Sequence, residues 1–222
     1  MKTTPANTRA AAFCFALTLA LVGCQSIYYG TMSSFGYEKR DLLVERVKDA
    51  RDEQEDAKAQ FTSALDQFKA VIDFQGDDLE AMYEELDRGY NKSRRAASDV
   101  GDKIDAVESV AEALFDEWAE ELDAYNSEDL RTISAQRLEE TRSRYEQLLG
   151  AMRRAEESIP PVLAEMQDQV LFLKHNLNAQ AVASIQGTAE GINRDIQALI
   201  DQMESSILEA NAFINQMGGA DQ

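Results

Sequence analysis

The sequence predicts an all-α protein, an elongated antiparallel helical bundle or coiled coil of about four long helices that follows a leader and a short tether. Three observations predict it. Only 3 of 222 residues are Pro, and Ala, Glu, Asp and Gln are abundant in a chain that is 28% charged, a composition that favours helix over sheet. Apolar residues recur in alternating steps of four and three, which is the seam of helices that pack side by side. No segment carries the period of two that a half-buried strand needs.

Residues 1–23 read as a signal peptide. Lys2 and Arg9 supply a short positive region, and residues 10–22 form an apolar run of 13 residues, too short to span a bilayer comfortably. Leu21-Val22-Gly23-Cys24 comes next. It resembles the lipobox of bacterial lipoproteins, with a branched residue three before the cysteine and a small residue just before it. That resemblance implies cleavage between Gly23 and Cys24 and a diacylglycerol on the Cys24 thiol; an ordinary secretory signal ending in a cysteine is the plain alternative. In such lipoproteins an Asp after the cysteine retains the protein in the inner membrane. Gln25 therefore implies the periplasmic face of the outer membrane, with the inner membrane as the other possibility. Cys14 leaves with the leader, so no disulfide is expected.

Residues 24–37 read as the lipidated cysteine and a tether, uncharged from 25 to 37 with two Gly and three Ser. Tyr28, Tyr29 and Phe35 either rest in the head-group layer or cover the base of the bundle. Residues 38–217 read as a single helical domain, and 218–222 as a frayed tail.

The first helix, about 38–75, carries Leu43, Val47, Ala50, Gln54, Ala57, Phe61, Ala64, Phe68 and Val71 in heptad register, with Gln54 as one polar break. Leu65 and Ile72 widen the stripe, and Gln75-Gly76 ends it. Asp77, with Glu80 three residues on, suggests a capping box for a second helix over about 78–125. Its seam runs through Leu79, Tyr83, Leu86, Tyr90, Ser93, Ala97, Val100, Ile104, Val107, Ala111, Leu114 and Trp118, with Leu122 and Tyr125 closing it. Ser127 is the cap of a third helix, about 128–157, whose seam includes Leu138, Tyr145, Leu148, Met152 and Ala155. Pro160 and Pro161 must break or sharply kink the chain. A fourth helix over about 162–217 carries Ile192, Ile196, Leu199, Met203, Ala210 and Phe213, and Gly218 and Gly219 stop it.

Charge narrows the partners. The net charge is −19, and loss of Lys2 and Arg9 makes it two units more negative, which argues against nucleic acid or bare anionic lipid. Residues 38–157 hold 18 basic and 33 acidic side chains, whereas 158–222 hold two and eight. Residues 176–189 have no formally charged side chain. Two readings follow. The last helix is central and covered by the others, or Asn176, Gln180, Ser184 and Gln186 belong to a partner or self-association surface that needs no buried charge.

Candidate chemistry is sparse. His175 stands alone, with no carboxylate three or four residues away. Asp116, Glu117, Glu120, Glu121 and Asp123 form the densest acidic cluster, but on a continuous helix they lack the Gly-centred loop of an EF-hand. The Glu-x-x-His pairs of a di-iron bundle and the GxxxxGK[ST], GxSxG and HExxH motifs do not occur. No catalytic residue, metal ligand or cofactor is expected, and the protein reads as a non-enzyme.

Four stretches together resemble one bacterial family. They are Cys24 through Gly30, Phe35 through Asp41, Ile104 through Trp118, and Gln169-Val170-Leu171-Phe172-Leu173-Lys174-His175-Asn176-Leu177-Asn178-Ala179. The family is a domain-of-unknown-function group of Gram-negative envelope proteins. The resemblance implies an envelope location and an all-helical body and brings no activity or catalytic residue. The expected role is that of a periplasmic lipoprotein held to the membrane through Cys24. It acts as a scaffold, spacer or adaptor with a protein partner or a second copy. The alternative is a binding module that shelters a lipid or other apolar ligand between helices.

Overall fold

A computed structural model describes residues 39–72, 78–177 and 179–218. Five α-helices pack against one another: α1 (Lys39–Ile72), α2 (Leu79–Glu121), α3 (Glu128–Glu157), α4 (Ile159–His175) and α5 (Ala179–Gly218). Lys39–Gln222 forms one compact unit. The expectations about the signal peptide, Gly23, Cys24 and the tether fall outside the described residues.

Helix α1 places its whole predicted seam inward. All nine positions from Leu43 to Val71 are buried, Gln54 among them, and Leu65 widens the stripe as expected. Helix α1 packs along α2 and α5, and α3 and α4 pack along the same two helices. Cross-contacts fix the directions. Arg40, Arg51, Gln54 and Lys58 of α1 meet Met217, Asn211, Ser206 and Glu204 of α5 in turn, so these two helices are antiparallel. Trp118 meets Ser134 and Asp105 meets Arg153, while Leu86 and Val170 line one small void. As α2 descends, α3 and then α4 ascend beside it. The result is an up-down-up-down bundle of four rods whose third rod is α3 followed by α4.

That arrangement corrects the predicted fourth helix over 162–217. The reversal of the chain lies between His175, where α4 ends, and Ala179, where α5 begins, not at the prolines. Only Ser158 interrupts the third rod, and it stays right-handed helical at φ −78° and ψ −15°. Its N–H donates to the carbonyls of Arg154 and Ala155, both at 3.2 Å, so the helical ladder reaches the break. Pro160 and Pro161 then occupy the first turn of α4, where a missing N–H costs no intrahelical bond. At Asn176 the ladder ends. Its backbone N–H donates to Leu173 O at 3.1 Å, its Nδ2 donates to Phe172 O at 2.9 Å, and its backbone leaves the helical region.

Two other boundaries differ. Asp78, not Asp77, caps α2, with Ala81 N donating to Asp78 Oδ1 at 3.0 Å. Helix α2 stops at Glu121 and passes through a 3-10 turn, Leu122–Ala124, to an extended Tyr125 that is exposed instead of closing the seam. Ser127 caps α3 as predicted, and Glu128 and Asp129 occupy its first turn, where the helix dipole favours anions. The last helix is not a central one. It forms one wall of four, and Leu208 on its outer face is 69% exposed.

Candidate interaction surfaces

The bundle has two different ends. At the base, Lys39 begins α1, α2 ends, α3 begins and α5 ends. Lys39 Nζ donates to Ala113 O at 3.3 Å and pairs with Glu117 at 2.8 Å, while Arg40 Nη2 donates to Met217 O at 2.6 Å. At the tip, α1 ends, α2 begins and α4 turns into α5. The 34 residues of α1 put about 51 Å between the two.

The tip carries exposed apolar side chains. In the run Val170-Leu171-Phe172-Leu173 a helix can turn only one face to the core. Val170 and Leu173 take that face, and Leu171 and Phe172 point outward. With Leu177 in the turn, three large apolar residues stand 38–45% exposed beside exposed Lys174 and His175. Of the predicted surface, Asn176 is half-buried and spends its amide on capping α4, and Gln186 is exposed on α5. The side chains of Gln180 and Ser184 fall outside the described ones. Sequence reasoning looked for polar residues at this end and missed Leu171, Phe172 and Leu177. The signal that finds them is the four-residue apolar run that outlasts one helix face, followed by Asn176-Leu177-Asn178 as turn chemistry.

A void among Phe68, Leu86, Met166, Val170, Ile192 and Ile196 has a volume of about 10 Å³, room for one water at most. Polar groups enter the core at few points. Ser206 Oγ donates to Gln54 Oε1 at 2.7 Å with both residues fully buried, while Gln54 Nε2 has no partner. Gln60 Nε2 donates to Gly89 O and to Ser93 Oγ, each at 3.4 Å, and ties α1 to α2.

The charged clamp of the bundle is Arg153. It donates to Glu156 on its own helix at 2.8 Å, to Asp105 on α2 at 2.7 Å, and to Glu108. Those bonds, Glu156 first, hold the guanidinium still further above its usual range despite partial burial. Beside it, burial pushes the Tyr145 phenol well above its ordinary value, and Glu108 and Glu112 push the same way. The Tyr145 ring meets Phe115 edge-on at 5.4 Å, and Arg142 lies 5.4 Å from the centre of the Phe115 ring.

Among the described residues no group of three or more His, Cys, Asp or Glu side chains is placed to hold a metal ion. No described helix is long and apolar enough to cross a membrane. A family model described as a protein of unknown function, DUF2959, matches residues 28–217. No curated protein and no solved structure matches the chain.

Proposed function

The chain belongs to DUF2959, and we propose that its members' shared body serves here as a non-enzymatic spacer or adaptor of the cell envelope. The N-terminal pattern ending at Gly23 and Cys24 supports anchorage by acyl chains on Cys24. Gln25 supports the outer membrane as the site of that anchor. The observation that carries the adaptor reading is the polarity of the bundle. The anchored chain enters at Lys39, and the exposed Leu171, Phe172 and Leu177 stand at the opposite end, about 51 Å away along α1. A rigid rod with apolar side chains exposed at its tip is suited to hold a protein partner at a set distance from the membrane. The described void beside Phe68, Leu86 and Ile192, about 10 Å³, is too small for a lipid.

The test is site-specific photo-crosslinking in intact cells. A probe at Phe172 or Leu177 is expected to give a discrete adduct, and a probe at exposed Glu139 on the flank of α3 is expected to give none. Equal silence at all three positions, with the protein folded and acylated, would remove the adaptor reading. Labelled palmitate tests the anchor separately, and a Cys24→Ala chain should take up none.

A further inference from the structure

A second apolar patch lies at the base. Leu130, Ile133 and Ser134 share one face of the first turns of α3, spaced by three and four. Ser134 is nearly buried, and its Oγ accepts two bonds, from Trp118 Nε1 at 2.8 Å and from the Tyr125 hydroxyl at 3.4 Å. Both aromatic side chains thus spend their polar atoms inward. Tyr125, Leu130 and Ile133 remain 42–56% exposed around the half-buried Trp118. Trp and Tyr are enriched at membrane–water interfaces, and exposed Leu and Ile beside them add apolar area that an interfacial layer can bury.

The position of Lys39 indicates what meets this patch. Its bonds to Ala113 O and Glu117 hold the start of α1 beside Trp118. Cys24 is only 15 residues further back in the chain, a reach of at most about 50 Å when fully extended. An acyl anchor on Cys24 therefore keeps the base at high local concentration near the bilayer. Charge selects the lipid. Asp116, Glu120, Glu121, Asp123, Glu128 and Asp129 surround the patch and outnumber nearby Arg131 and Lys39, so anionic head groups are repelled within a Debye length.

Resting on the anchor reading, we infer that the base is a seat on the membrane, where Trp118, Tyr125, Leu130 and Ile133 enter the head-group layer of a zwitterionic bilayer. The anchored protein then stands on its own membrane with a defined face down.

Trp118 is the chain's one tryptophan and reports on this directly. The intact acylated protein is reconstituted in phosphatidylcholine vesicles with brominated acyl chains. Trp118 emission is expected to lose most of its intensity relative to unbrominated vesicles. Added phosphatidylglycerol should weaken the quenching, and salt should restore it. A triple variant, Tyr125→Ser, Leu130→Ser and Ile133→Ser, is expected to keep its helical circular dichroism, to float with the vesicles through its acyl chains and to lose the quenching. Wild-type protein that floats with Trp118 unquenched overturns the inference and leaves the anchor standing. So does a Trp118 shielded from aqueous acrylamide but not reached by bromine, since a protein then covers the base. A chain that takes up no acyl group overturns the anchor and the seat together.

Discussion

Gln54 sits at a fully buried seam position of α1 with one amide oxygen bonded and one amide nitrogen unpaired. A buried donor without a partner costs roughly 1–3 kcal/mol, so this residue weakens the core it helps to fill. Its one gain is specificity, because Ser206 can meet Gln54 only when α1 and α5 are in this register. The two partners should then respond with opposite signs. Ser206→Ala leaves both ends of the amide unpaired and is expected to destabilise the fold by about 1–3 kcal/mol. Gln54→Leu removes the unpaired group and lets the Ser206 hydroxyl turn back onto its own helix. It is expected to be neutral or to stabilise by about 1 kcal/mol. Urea midpoints of the two variants decide it, and a neutral Ser206→Ala would mean that the pair sets nothing. Gly187 offers a cleaner gain. It lies inside α5, and a methyl group there would meet nothing within 4 Å. Gly187→Ala should stabilise the helix by up to about 1 kcal/mol, again read from the urea midpoint.

At the scale of the helix, the third rod shows how position decides what a proline does. Pro160 and Pro161 lie in the first turn of α4, so replacing both by Ala should shift stability by no more than about 1 kcal/mol. The same residue at exposed Gln167, in the middle of α4, removes a ladder bond and should cost about 3 kcal/mol or more. If Pro160→Ala/Pro161→Ala proved as damaging as Gln167→Pro, the break at Ser158 would be a structural necessity and not a tolerated gap. The pair of variants also explains why the path of the chain was only partly legible. The heptad seams of α1 and α3 depend on spacing alone, and every named position of α1 from Leu43 to Val71 is buried. A proline pair looks the same in sequence whether it ends a rod or opens the next segment of one, because the N–H it lacks matters only inside a helix. Asn176 looked like one polar residue among several, but it is the cap at which the chain reverses. The exposed ends were hidden for the same reason. Tyr125 was read as closing the seam by assuming that α2 ran on past Glu121.

For the whole molecule the governing quantity is charge. A net charge of −19 on one bundle works against compactness, and two carboxylates register it locally. Glu53 is pushed above the usual carboxylate range first by burial, then by Asp99 across the α1–α2 interface and by Asp56 on its own helix, with Lys103 opposing. Glu165 on α4 is raised by burial and by Asp195 on α5, with Asp168 adding and Arg194 opposing. A carboxyl whose pKa is raised on folding contributes stability that is complete below its ordinary value of 4.5 and lost as pH rises through the raised value. The melting temperature should therefore climb as pH falls from neutrality toward that value, contrary to the acid sensitivity of a protein held by ion pairs. The Arg153 clamp pulls the other way, since its bonds to Asp105, Glu108 and Glu156 are charge-assisted. The chain holds 41 acidic residues against 22 Lys and Arg, so repulsion is expected to dominate. Glu165→Gln isolates the effect. It removes the charge facing Asp195, so the variant should melt above wild type at neutral pH, and the gap should close as the pH falls toward 4.5. Added salt at neutral pH should narrow the same gap by screening the pair. Thermal melts of both proteins across that pH range, at low and high salt, provide the check. A wild-type melting temperature that falls steadily on acidification would show that the clamp, and not the repulsion it spans, governs the bundle.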